Sequence, residues 1–128
     1  MGCDIHAMIE AKRKNRFSWV NRGDPDISRN YLLFSILGNM RNYNEIPSIA
    51  EHRGIPDNCC NEYEAWSKDW EGDAHSHSWV KLKELKEYDL AKTFIKSDFT
   101  FIDLKELITK MEQFGTEENV RLVFFFDN

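Results

Sequence analysis

The chain has 128 residues with a net charge of −5, 41% apolar and 30% charged residues. That length bounds it to one domain, residues 1–128, and that balance excludes a disordered chain. The acidic surplus excludes a general DNA-binding footprint, and no apolar run reaches the ~20 residues of a membrane span.

The first element is "CDIHAMIEAKR". Cys3, Ile5, Ala7 and Ile9 alternate with Asp4, His6, Met8 and Glu10, the period of a strand with one face on a core. "RFSWVN" predicts a second strand, joined to the first by a turn at Lys14-Asn15, where Asn15 tolerates positive φ. "RGDPDIS" is a loop. "RNYLLFSILGNMRNY" predicts a helix capped by Ser28 and apolar on two sides. Residues 43 to 72, with Pro47, Gly54 and Pro56, predict a long irregular segment, functional or carrying short helical turns.

"HSHSWV" then predicts a strand, and Leu82, Leu85 and Tyr88 a short helix over residues 82 to 90. "FTFIDLKELITKMEQFG" predicts the clearest helix. Asp103 is its N-cap, Glu106 completes a capping box, and Gly115 sits at the C-cap. Leu104, Leu107, Ile108, Met111 and Phe114 form its stripe. "VRLVFFFDN" is apolar on both faces, as a central strand requires. The expected class is α+β: a single domain with a mostly antiparallel or mixed sheet packed by two or three helices.

On a strand, residues two apart share a face. Asp73, His75, His77 and Trp79 therefore form one predicted polar face, and Asp4 and His6 another. If the two strands are neighbours, three imidazoles and two carboxylates meet. Three readings follow. A divalent metal would be held by His6, His75 and His77, with an open position for substrate. Metal-free acid–base chemistry would use the same histidines as catalytic groups, oriented by Asp4 and Asp73. The third reading is a polar strand face that bonds locally or faces water. Two-histidine phosphoesterases repeat His-x-Thr or His-x-Ser, and none of the histidine triplets fits.

Arg29, Arg41, Arg53 and Arg121 are the candidates for phosphate contacts, because guanidinium binds phosphate bidentately. Tyr31 and Trp79, with Trp66 and Trp70, offer stacking surfaces for a base. Asp127 follows "VFFF" directly and is expected near the sheet edge, beside the site. Cys3, Cys59 and Cys60 suit a reducing cytoplasm and do not make a zinc finger. No signal peptide is read at the start. Met1-Gly2 lacks the Ser or Thr of a myristoylation motif, since His6 stands there.

Five blocks carry a resemblance: "MGCDIH" at the start, "RNYLLFSILGNMRN" (29–42), "RGIPD" (53–57), "DAHSHSW" (73–79) and the final "VRLVFFFDN". Together they resemble a largely uncharacterised family of small tailed-bacteriophage and prophage proteins that begin Met-Gly-Cys-Asp-Ile-His. Relatives tend to have Thr before the "EL" helix; this chain has Lys81, which weakens that helix start. The resemblance implies action in the cytoplasm of an infected bacterial host. Small phage proteins of this size often counter host defence. The expectation is a phage-type, phosphodiesterase-like hydrolase that binds and cleaves a nucleotide-derived small molecule, such as a cyclic nucleotide immune signal. The alternatives are a non-enzymatic sponge for such a signal, as a homo-oligomer, and a protein-binding inhibitor of a host factor. No partner is expected among long nucleic acids or membranes.

Overall fold

The computed structural model describes residues 2–13, 16–70, 72–88 and 98–127. In chain order the elements are β1 (Asp4–Ala11), β2 (Val20–Asn21), α1 (Tyr31–Gly38), α2 (Asn61–Asp69), β3 (Ala74–Lys81), α3 (Leu82–Glu87), α4 (Asp98–Glu112) and β4 (Val120–Asp127). The strands form one sheet in the order β2-β1-β4-β3, antiparallel throughout. The α+β class read from the sequence stands. No helix among the described residues is long and apolar enough to cross a membrane.

β4 occupies the interior of the sheet because both of its faces are apolar. Val120 to Phe126 are all buried. Residues paired across antiparallel strands share a face. Ile5 pairs with Phe126, Ala7 with Phe124 and Ile9 with Leu122, and this face carries the main core. Leu33, Phe34 and Leu37 of α1, Leu82 and Leu85 of α3, and Leu104, Leu107 and Met111 of α4 pack on it. Gly38 ends α1 against the sheet. A Cβ there would lie 3.1 Å from ring carbons of both Phe124 and Phe126.

The opposite face pairs His6 with Phe125, Met8 with Val123 and Glu10 with Arg121. The alternation of β1 predicts a polar outer face here. Instead α2 covers it, and Met8, Cys60, Tyr63, Val123 and Phe125 form a second, smaller core. α2 lies inside the segment read as irregular. Tyr63, Trp66, Ser67 and Trp70 recur at helical spacing, but polar neighbours dilute the stripe. Glu10 ties the helix down: its buried carboxylate accepts the Cys60 N–H at 2.7 Å, at the start of α2.

Several boundaries differ from the sequence reading. α1 is capped by Asn30, not Ser28. Asn30 is extended, at φ −143°, and its Oδ1 accepts the Leu33 N–H at 3.1 Å. α4 begins at Asp98, so Asp103 is inside it and caps nothing; its carboxylate accepts from Asn30 Nδ2 at 2.8 Å. Gly115 stands three residues past the helix end at φ +156°, away from a left-handed cap. Of "RFSWVN" only Val20-Asn21 pairs with β1, and the Lys14-Asn15 turn lies outside the described residues. Lys81 has no acceptor to cap α3, yet the Glu84 carboxylate accepts its N–H at 3.1 Å. α3 ends at Glu87, and residues 89 and 90 of the predicted helix lie outside the described residues.

Candidate functional site

The two histidine strands are not neighbours. β4 lies between β1 and β3, so they stand two strand spacings apart, about 10 Å. His6 and His77 flank the Phe125 ring, with centroids 5.0 and 5.3 Å from it. A β-bulge separates the members of "HSH" further. His75 pairs with Phe126 and Ser78 with Phe124, so three steps along β3 match two along β4. Ser76 absorbs the extra residue with φ +56°. The register places His75 on the α1 face, whereas His77 meets Phe125 on the α2 face.

The expected common face of Asp73, His75, His77 and Trp79 is therefore divided. Asp73 precedes the strand, is exposed, and donates its N–H to the Trp70 carbonyl. His75 Nδ1 lies 3.0 Å from Ser76 Oγ. Asp4 is held by Arg29 through two 2.9 Å hydrogen bonds. Among the described residues no three His, Cys, Asp or Glu side chains gather as a metal would need. The metal triad of His6, His75 and His77 does not assemble, because β4 and the bulge keep its members apart.

The structure instead pairs His6 with Asp127. His6 Nε2 lies 2.5 Å from Asp127 Oδ2, with the two side chains 18% and 19% exposed. An ionised carboxylate only accepts, so Nε2–H is the donor and Nδ1 keeps the other role of the ring. The imidazole rests against Trp70 at 4.3 Å, meets the edge of Trp66 at 5.6 Å, and stacks on Phe125. Sequence reading placed Asp127 near the site without naming its partner. The strand pairing of Asp4 with Asp127 brings it diagonally opposite His6. Trp66 and Trp70 reach the imidazole because α2 folds over the sheet. Burial, with the charge of nearby His75, lowers the His77 pKa below 6.5 and favours its neutral form.

The arginines divide into structural and available groups. Arg121 is buried and donates to Glu10 Oε1 at 2.6 Å, while its guanidinium lies 3.9 Å from the Trp19 ring centroid. Arg53 bonds both Glu84 oxygens at 2.7 and 2.6 Å and also donates to the Ile49 and Trp79 carbonyls. Its guanidinium covers the Trp79 ring, the surface expected to stack on a base. These two arginines tie elements together. Arg29 is exposed but committed to Asp4.

Arg41 sits in the left-handed region at φ +53°, half-buried above the Tyr31 ring at 5.5 Å, and donates to Tyr43 Oη. Tyr31 Oη accepts the Cys3 N–H at 3.1 Å. Burial raises the Cys3 thiol pKa, and the charges of Arg41, Asp127, Asp4 and Arg29 all reach it. One end of the sheet thus gathers His6, Asp127, Asp4, Arg29, Tyr31 and Arg41. Of the other cysteines, Cys60 has its thiol pushed up to about 12 by burial, and all three are free. Neither the protein-family models, nor the curated proteins, nor the solved structures contain a match to this chain.

Proposed function

We propose that the protein binds a nucleotide-derived small molecule at the Asp127 end of the sheet and hydrolyses its phosphodiester bond by acid–base catalysis. The antiphage role rests on the resemblance carried by the sequence blocks. The observation that carries the chemistry is the half-buried His6–Asp127 pair, enclosed by Trp66, Trp70 and Phe125. A carboxylate on one ring nitrogen fixes the tautomer and holds the other nitrogen in place for proton transfer. Nδ1 of His6 takes a proton from an attacking water as its oxygen bonds to phosphorus. Asp127 stabilises the resulting imidazolium. The bond from phosphorus to the leaving oxygen breaks, and the imidazolium returns the proton to that alkoxide. The charges of Arg41 and Arg29 reach Cys3 at this end of the sheet and would draw a phosphate towards it, and Trp70, against the imidazole, supplies ring surface for a base.

The test incubates the purified protein with a panel of cyclic di- and oligonucleotides, with and without EDTA, and separates the products. Turnover that EDTA leaves intact is expected. His6→Ala and Asp127→Asn are expected to lower kcat by roughly 10²- to 10⁴-fold, the usual span for a positioned proton-transfer group. Intact ligand released on heating would replace hydrolysis with sequestration. A host protein co-purifying, with no nucleotide bound, would replace both with the inhibitor reading. Turnover abolished by EDTA would overturn the metal-independent mechanism.

A further inference from the structure

At the far end of β1 lies a cavity of about 620 Å³ that the reading above does not use. Lys12, Arg13, Arg16 and Arg22 line it, and no Asp or Glu does. Ala11, Val20 and Phe114 give it an apolar wall. Ala11 is five residues from His6 along the strand, about 16 Å at strand rise. The two sites are separate.

The cations of this cavity differ from most others described, although Arg41 and Lys110 also meet no carboxylate among the described residues. Arg29, Arg53, Arg121, Lys68, Lys81 and Lys86 each pair with a carboxylate. Among the described residues, Lys12, Arg13, Arg16 and Arg22 form no ion pair. Lys12 lies over the Trp19 ring at 5.0 Å. A chain with net charge −5 therefore gathers four uncompensated positive charges around one cavity. Arg13, Arg16 and Arg22 are exposed, so water screens their repulsion, and the cluster makes a local positive patch that attracts an anion.

The frame around the cavity is ordered by backbone bonds. Lys12 N–H donates to the Asn119 carbonyl at 2.9 Å and Asn119 N–H to the Thr116 carbonyl at 2.9 Å. Arg22 N–H donates to the Ile9 carbonyl at 2.7 Å, which fixes the opposite rim. The volume falls within the roughly 300–1,000 Å³ of small-molecule sites. Guanidinium groups match phosphate oxygens in pairs. We propose that this cavity binds a small molecule carrying two or more linked phosphates, with its uncharged part against Val20 and Phe114.

The full-length protein is titrated with inorganic tripolyphosphate and with ATP by calorimetry, at low and at physiological salt. One-to-one binding that weakens with salt is expected, tighter for ATP if the apolar wall is used. Arg13→Ala combined with Arg22→Ala is expected to weaken binding at least tenfold. Lys83→Ala removes a cation that is paired with Glu118 elsewhere on the surface and should change it less than twofold. His6→Ala should also retain binding, so failure of the catalytic reading leaves this one standing. Circular dichroism checks that each variant is folded. Failure of both probes to bind at low salt would overturn the proposal. So would equal losses in Lys83→Ala and the arginine double variant. Tighter, multi-site binding of single-stranded RNA would overturn the small-molecule form.

Discussion

At the scale of single residues, a side chain's role is set by its partner. Arg121 and Arg53 read in sequence as phosphate ligands. In the fold one neutralises buried Glu10, 111 positions away in the chain, and the other clamps Glu84, 31 positions away. No local pattern discloses such pairing: the register of β1 on β4 creates the first, and the seating of the Arg53 loop on β3 and α3 creates the second. Asp127, expected near the sheet edge, is instead the last residue of the interior strand β4, and the same register supplied His6. Tyr63 carries the sharpest expectation at this scale. It is fully buried and its hydroxyl has no partner among the described residues. Burial also raises its pKa, so the hydroxyl stays protonated. A buried, unbonded hydroxyl costs about 1–3 kcal/mol of desolvation. Tyr63→Phe is therefore expected to leave stability unchanged or raise it by about 1 kcal/mol in urea denaturation. A loss above 1 kcal/mol would mean that the hydroxyl is bonded in solution.

At the scale of elements, periodicity located what a strong apolar pattern encodes. β1, β3, β4, α1, α3 and α4 all overlap the segments read for them. α2 was missed because its inward residues are an aromatic, a tryptophan and a serine set among charges. The caps were misplaced because Ser28 and Asp103 satisfy the capping rule locally, yet neighbouring residues continue or begin the helix elsewhere. The bulge at Ser76 was also invisible: "AHSHSW" alternates perfectly, and only pairing against β4 inserts the extra residue. Gly38 tests the seat of α1. Alanine is the better helix residue by about 1 kcal/mol, but its methyl would press on Phe124 and Phe126, and overpacking costs about 1–3 kcal/mol. Gly38→Ala is expected to lower the unfolding free energy by about 1 kcal/mol. A stabilised variant would show that the rings have room to yield.

At the scale of the whole molecule, charge governs how stability responds to pH. Burial, then His75, lowers the pKa of His77 below 6.5. The unfolded chain then binds a proton more readily, so this contribution is complete above pH 6.5 and lost as pH falls through the folded value. The Arg53 hydrogen bonds lower the Glu84 pKa below 4.5. Its contribution is complete above 4.5 and lost further into acid. Stability is thus expected to fall in two windows on acidification, read from urea midpoints between pH 8 and 3. His77→Gln should flatten the upper window only, and Glu84→Gln the lower only. If neither variant alters the pH profile, other groups control acid sensitivity.

Composition and periodicity alone determined a single α+β domain, the helical stripe of α4, the alternation of β1 and the central place of β4. These follow from local pattern, since burial on one face or two is written into successive residues. Tertiary structure alone decided which charges are spent and which remain. It placed β4 between the histidine strands, divided "HSH" across two faces, and joined His6 to Asp127. It also left four cations without an ion pair among the described residues at the opposite end of β1. Those outcomes depend on strand order and register, and on the long-range contacts that bring residues distant in sequence within hydrogen-bond reach.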